Sequence, residues 1–582
     1  MNSKSSLERR SPQSYPTRPQ PAIRRAITPC VFAVCALVTC ALSLLAGCEP
    51  FPGKEQFYEV TIPPQKLHQI EMLDLQKAQD QPKPTTDANQ PPAVAKPAMA
   101  GVERPAEQLD LTLEQCRALA LENNLDLKAQ LISPAIAAER VSEEEARFEA
   151  AFFSNLTYAK TDTPVASILD ITGSNVDYSL TNLGVQVPLR TGGTVTFDLA
   201  DSRTKTDSAF SIFNPLYGSD ASVSISQPLL RNAGTRANTH AIRVAGYERQ
   251  ITDARTKLEV IRVIAAVDRV YWRLYAARRE LEVRKQQYDL AKAQLEQAKR
   301  FVRTGERPPV EIVRAEAGVA QRLEAIITAE NNLRDREREL KRVLNKGGLE
   351  MQTPTILIPA TLPDPVHYEL PKPHLVGKAL ENRTEMLELE LQIAEDISTI
   401  DYMHNQALPI VTMDYTYNVN GLGATRSDSY DLLFDKRFED HSFGLELLVP
   451  LGNEAAKSRL RQAFYQRRQR LATRDSRKAV IEYEVLNAID QLEANWQRIL
   501  AGRQRTILDG RLYEAEKRQF EQGLRTSTEV LDAQTKFADA QSAEIAALAE
   551  YQIALVDLAY ATGTLLGAAK IQWQPIIPET TN

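Results

Sequence analysis

The chain has 582 residues, with 70 basic and 76 acidic side chains, and 43% of it is hydrophobic. That fraction excludes global disorder, 24 glycines exclude a collagen-like chain, and five cysteines are too few for a disulfide scaffold of this length. Six basic groups and one acid fall in 1–47, so the remainder carries 64 basic against 75 acidic residues, a balance that does not favour nucleic acid as a partner.

In chain order, Arg24 and Arg25 precede an apolar run, Ala26 to Leu45, which ends in Leu45-Ala46-Gly47-Cys48. A basic region, an apolar region and small residues before a cleavage point describe a secretory signal. With cysteine directly after the small residues, the segment is similar to a bacterial lipoprotein signal. On that reading 1–47 is the signal peptide and Cys48 carries the lipid, palmitate included. A single transmembrane anchor is the other reading, because the run is nearly long enough to span a bilayer. Residues 48–107, rich in Pro, Ala and Gln, read as a periplasmic tether.

Beyond the tether the chain repeats itself. Ala120-Leu121-Glu122-Asn123 matches Ala379-Leu380-Glu381-Asn382 at an offset of 259, as Thr157-Tyr158 matches Thr416-Tyr417. Further on the offset is 218, which places Gly305 on Gly523, Glu311 on Glu529 and Ala315 on Ala533. The reading is a first repeat at 108–350, a linker at 351–370, a second repeat at 371–568 and a tail at 569–582. The 41-residue excess of the first repeat has the turn chemistry of one additional β-hairpin, placed in the barrel or, alternatively, outside it in the periplasm.

Each repeat reads as helix, strands, very long helix, tight turn and long helix. Val260, Val267, Leu274, Leu281, Tyr288, Leu295 and Val302 lie seven apart in a helix expected from Thr235 to Thr304. The second row is Val485, Leu492, Ile499, Thr506, Tyr513 and Phe520. Such spacing signals coiled-coil packing. Between the helices, 152–158, 183–189, 194–200, 222–229, 411–417 and 443–451 alternate or nearly alternate, each about the length of a tilted membrane-spanning strand. Strands in lipid must close into a barrel, and six per chain are fewer than the eight of the smallest single-chain barrels. Three chains would supply eighteen strands. The turn at 189–193 is short, whereas 159–177, 204–219 and 418–442 are long and polar, which is the outer-membrane pattern. Gly421 to Thr425 (GLGAT) reads as a flexible tip of one such loop. There is no HExxH, Walker loop or CxxC pair, and the scattered His and Met form no metal-ligand group, so neither catalysis, cofactor nor metal is expected.

At this point the sequence resembles the TolC family of outer-membrane efflux proteins over about 108–568, most specifically at 513–566 and at the junctions SQPLLRNAG (226–234) and VPLGNEAAKSRL (449–460). The resemblance implies a mixed α/β membrane protein. It would be a homotrimeric outer-membrane β-barrel in lipid, continued by a long periplasmic α-helical barrel. Such a conduit is passive and serves efflux or type I secretion. It receives substrate from an inner-membrane RND or ABC transporter through a periplasmic adaptor (membrane fusion) protein. The competing reading, from the heptads alone, is a lipid-anchored structural coiled coil bridging the envelope without a pore.

The resemblance also locates a gate at the helix reversals, where Gly305 and Gly523 mark the turns. Carried over by position, Glu529 and Asp532 ring the periplasmic aperture. Phe520 and Arg525 fall on the constraining network, and Glu311 on its acidic partner. Three chains would bring six such carboxylates together, favouring cations and raising some of their pKa values. An Arg525–Glu311 link between helix pairs would hold the tips inward, so Arg525→Ala is expected to raise conductance. Ordinary solvated charge at helix ends is the alternative reading of these residues.

Overall fold

A computed structural model describes residues 108–164, 174–208 and 210–574. The signal segment 1–47, Cys48, the tether to 107 and the end of the tail, 575–582, lie outside the described residues.

The first part opens with β1 (Gln108–Leu111), α1 (Leu113–Asn123) and α2 (Leu125–Ala146). Strands β2 (Ala151–Asp162), β3 (Asn175–Pro188), β4 (Thr194–Thr206) and β5 (Leu216–Pro228) follow. Next come α3 (Thr235–Asn238), α4 (His240–Arg303) and α5 (Val310–Leu344). The second part runs β6 (Ile356–Pro359), α6 (Lys372–Asn382), α7 (Thr384–Gln406), β7 (Ile410–Gly423), α8 (Arg426–Phe434) and β8 (Glu439–Leu448). It ends in α9 (Glu454–Glu521), α10 (Ser527–Ala561) and α11 (Leu565–Ala568).

Local chemistry sets these boundaries. Thr112 caps α1 in a capping box with Gln115, its hydroxyl accepting from Gln115 N at 3.2 Å while Gln115 Oε1 accepts from Thr112 N at 2.9 Å. Asn124 then breaks α1 from α2 by accepting from Leu127 N at 2.9 Å. Its Nδ2 donates to the Val343 carbonyl at 3.1 Å, which fixes the break against the end of α5. The equivalent break between α6 and α7 is made by Arg383, a buried residue paired with Glu385 at 2.6 Å and with Glu484.

All six long strands join one antiparallel sheet in the order β2-β3-β4-β5-β7-β8. The hairpin β3–β4, the excess of the first repeat, therefore lies inside the sheet between β2 and β5 rather than apart from it. The register sorts the side chains by face. One row is Val187, Val195, Ile225, Tyr415 and Phe443, and the next is Phe152, Val185, Phe197, Val223 and Tyr417. The opposite face carries Gln186, Thr196, Ser224, Thr416 and Ser442, then Asp198, Ser222, Asn418 and Asp440. One face is apolar and outward-exposed, with Phe152 and Phe443 each more than half exposed, and the other is polar. Among the described residues no helix is long and apolar enough to cross a membrane.

The connection 424–438 is not the loose loop that the sequence reading expects. β7 continues to Gly423, and α8 folds back onto β5 and β7. The Ser429 hydroxyl donates to Ser219 Oγ at 2.6 Å, and a Cβ on Gly421 would lie 2.1 Å from the Ser429 carbonyl oxygen. Gly421 is therefore a close-approach glycine under a helix, not a flexible tip.

Below the sheet, α4 and α9 are single rods of 64 and 68 residues, each roughly 100 Å long. The expected helix from Thr235 breaks at Thr239, so α3 is a separate turn. α5 packs back along α4, α10 packs back along α9, and α4 meets α10 between the pairs. At the sheet end α2 and α7 flank α4, and α7 also meets α9. The apolar core lies in this upper part, around Ile264, Val267, Tyr271, Leu274 and Leu340, with a second cluster around Ile481, Val485, Leu492 and Tyr551. β1 and β6 pair in parallel beside it, β6 within the span expected as a plain linker. Tyr271 Oη donates to the Leu111 carbonyl at 3.1 Å and accepts from Thr361 N at 2.8 Å, which ties both strands to α4.

The seven-residue row of α4 stays buried only as far as Leu281. Tyr288, Leu295 and Val302 are partly exposed, and the buried positions become Gln287, Ala291, Gln294 and Ala298. A helix of 3.6 residues per turn drifts about 20° per heptad, so after four heptads a neighbouring row has rotated into the seam.

Candidate functional site

The two helix reversals lie side by side at the far end of the rods. Each is closed by the same backbone motif. Gly305 has φ +76°, with Gly305 N bonded to Val302 O at 3.1 Å and Glu306 N to Phe301 O at 2.9 Å. Gly523 has φ +79°, with Gly523 N bonded to Phe520 O at 3.0 Å and Leu524 N to Gln519 O at 2.9 Å. The paired bonds satisfy carbonyls that a helix end would leave unmade, and the left-handed residue is glycine in both.

Between the reversals the structure assembles an aromatic and polar joint. Phe520 is buried and meets Phe301 edge-on at 5.9 Å between ring centroids. Arg307 lies over the Phe520 ring at 5.3 Å, and its Nη2 donates to the Arg525 carbonyl at 2.9 Å. Glu311, also buried, crosses from α5 to the start of α10. Its Oε2 accepts from Ser527 N at 3.3 Å and from the Ser527 hydroxyl, and its Oε1 accepts from Arg314 at 2.7 Å. A carboxylate there meets free N–H groups and the positive end of the helix dipole.

The expected Arg525–Glu311 link is not made within the chain. Arg525 turns along its own hairpin, to Glu529 at 2.7 Å, Glu516 at 3.3 Å and Gln519 at 2.9 Å. The reason is local: Glu529 is one helical turn beyond Arg525, while Ser527 already occupies Glu311. Glu529 is the third residue of α10, and its Oε2 accepts from Thr526 N at 2.8 Å. Within one chain that N–H, and then Arg525, hold its carboxyl below the usual glutamate range. Asp532 is exposed and pairs with Lys536 at 2.8 Å. The sequence reading thus named Glu311, Phe520, Arg525 and Glu529 but missed Ser527, Arg307 and Phe301. Ser527 was legible as a hydroxyl directly after a helix cap; Arg307 and Phe301 carried no signal without the pairing of the two hairpins.

Above the joint the seam between α4 and α10 is polar. Gln534, fully buried, donates through Nε2 to the Gln287 carbonyl at 3.1 Å, and Gln294 donates to the Ser527 carbonyl at 3.4 Å. Hydrogen bonds of this kind exchange with water at small net cost, unlike the apolar packing higher up. Among the described residues no group of His, Cys, Asp and Glu is placed to hold a metal ion.

The sheet, the paired rods and their joined reversals have counterparts in known proteins. The model of the family described as Outer membrane efflux protein matches residues 194–346 and 375–564. The chain belongs to this family. It is an outer-membrane efflux channel, not an enzyme. No curated protein matches the channel's sequence. Solved structures share its fold at low identity. The CmeC outer membrane channel of Campylobacter jejuni aligns with a TM-score of 0.57 and 14% identity, covering 78% of this chain and 86% of that one. The outer membrane protein VceC of Vibrio cholerae aligns with 0.56 and 14%, covering 78% and 96%. The open state of the MtrE outer membrane channel of Neisseria gonorrhoeae aligns with 0.56 and 15%, covering 78% and 89%.

Proposed function

We propose that three copies of this chain close their sheets into one eighteen-stranded barrel, continued by a periplasmic helical barrel that narrows at the reversals. The observation that carries this is the six-stranded sheet, apolar on one face, with β2 and β8 as its edges. Lipid does not tolerate open edges, and six strands are too few to close alone. Each β2 would pair with the β8 of the next copy. In this reading the chain is a duplicated unit. α6 and α7 start 259 residues after α1 and α2, and α10 ends 217 residues after α5, beside the sequence offset of 218.

As a conduit the channel is the outlet of a tripartite efflux or type I secretion system, loaded by an inner-membrane RND or ABC transporter through a periplasmic adaptor. Cys48 would add a lipid anchor in the same membrane. Glu529 and Asp532 would line the aperture from three chains and favour cations. Displacing the joint at Glu311, Ser527, Arg307 and Phe520 would let the α9–α10 pair swing from α4–α5 along the polar seam. The test is the purified full chain in planar bilayers, with its mass measured in detergent. Trimers that conduct sustain the reading; a non-conducting species overturns it.

A further inference from the structure

The structure assigns the seam between copies: α9 of one protomer lies on α2 of the next, with Arg461 paired to Glu139 and Tyr465 seated on Ile132 and Ile136. This rests on the trimer proposed above and extends it to named residues.

The argument uses a contact already made inside the chain. α4 lies on α7 through Arg243, whose Nε donates to Ser398 Oγ at 3.1 Å, and through Arg255, which pairs with Glu388 at 2.6 Å. Arg236 pairs with Asp401 there, and His240 stacks on Tyr402 at 4.6 Å between centroids. In a ring built of like units, α9 stands to the next protomer's α2 as α4 stands to α7. The offset of 218 holds along both rods. Gly234 and Gly452 have φ +88° and +81°, Gly305 and Gly523 have +76° and +79°, and Asn345 and Gly563 have +43° and +70°. α4 from His240 and α9 from Glu454 run unbroken to the reversals, and a continuous helix has fixed rise and rotation, so the offset set at Gly305 and Gly523 holds back to Arg243 and Arg461.

Shifting the observed contact by these offsets places Arg461 where Arg243 stands, and Glu139 where Ser398 stands. The antiparallel register between the Arg243–Ser398 and Arg255–Glu388 pairs puts Tyr247 opposite the 391–395 turn of α7, so Tyr465 falls opposite Ile132 and Ile136. Two further observations agree with the result, the first of them independent of the offset. Ile132, Ile136 and Tyr465 are 59%, 53% and 66% exposed, an apolar stripe on helices that a single chain leaves uncovered. Arg461 is also already set in Arg243's orientation. It reaches back to Glu454 at 2.8 Å, as Arg243 reaches back to the carbonyl of Arg236 at 2.6 Å, and Glu454 and Arg236 are equivalent positions. Charge is complementary as well. The upper stretch of α9 carries Lys457, Arg459, Arg461, Arg467 and Arg468, while the upper end of α2 carries Glu139, Glu143, Glu144 and Glu145.

The full-length double variant Ile136→Cys with Tyr465→Cys, mildly oxidised, is expected to give covalent dimers and trimers on a non-reducing gel, where the wild type gives none. Glu139→Arg and Arg461→Glu should each weaken the trimer association constant by on the order of tenfold, as small effects repeat at three seams, and the two reversals combined should restore it. A wild type that is trimeric by light scattering, with no cross-link and no effect of either reversal, would overturn the seam and leave the trimer standing. A monomeric wild type would overturn the trimer itself.

Discussion

Glu311 on α5 holds the first turn of α10 through both the backbone N–H and the hydroxyl of Ser527, and all of these groups are buried. It bonds one reversal's helix directly to the other's N-terminus. Ser527→Ala removes the hydroxyl and leaves a buried carboxylate oxygen with one donor fewer, at a cost of about 1–3 kcal/mol. Single-channel conductance is expected to rise in Ser527→Ala and Glu311→Ala. Arg525→Ala should raise it less, because Arg525 bonds within its own hairpin.

The upper core contains a second buried carboxylate. Arg117 forks onto Asp268 with Nε–Oδ1 2.8 Å and Nη2–Oδ2 2.7 Å, and the Asp268 side chain is fully buried. Burial raises the Asp268 pKa while Arg117 opposes that rise. Arg117→Met strands the charge and should cost about 3–5 kcal/mol, whereas Arg117→Met with Asp268→Leu should recover most of it. Thermal unfolding followed by circular dichroism separates the two.

Cys116 lies in the same core with no exposure, and burial, followed by the neighbouring Asp268, pushes its thiol up to about 12. It should resist alkylation by iodoacetamide at neutral pH in the folded chain and react once unfolded. The linkage has a definite sign. The unfolded thiol ionises near 9.0 and the folded one does not, so stability from this group falls as pH rises from there towards 12.

Glu529 has the opposite sign. Its depressed carboxyl contributes stability above the ordinary value of 4.5, and that contribution is lost as pH falls through the folded value. Hydrogen-exchange protection at the first turn of α10, taken relative to the intrinsic rate at each pH, should therefore fall as pH drops below 4.5 and through the folded value. In Glu529→Gln the protection should already be lower at neutral pH and change little with acid.

Gly421 marks where α8 touches the sheet. Gly421→Ala forces a Cβ into the Ser429 carbonyl and within 2.5 Å of Ser219 Oγ. Lifting α8 should expose 424–438 to protease in folded protein, which limited proteolysis detects.

Much of the architecture was legible because it is periodic. Alternation in 183–189 and 194–200 marks strands that form in the sheet, and the heptads of Val260 to Leu281 mark buried positions. What failed was whatever depended on a partner distant in sequence. Gly421 looked like a loop glycine because nothing nearby shows that α8 returns over it. Tyr288 looked buried because a heptad does not record the drift of a straight helix against its neighbour. Position pairs Arg525 with Glu311, whereas within one chain the geometry at Thr526 and Ser527 gives each a nearer partner.

The sequence by itself determined the six long strands, the long helices and the glycines of both reversals, since these follow from local periodicity and backbone sterics. Only the tertiary structure decided that β3–β4 belongs to the sheet, that the seam above the reversals is polar, and that Ser527 receives Glu311. Those are choices among competing long-range partners, and they are settled by which groups the packing of the two long hairpins brings within bonding distance.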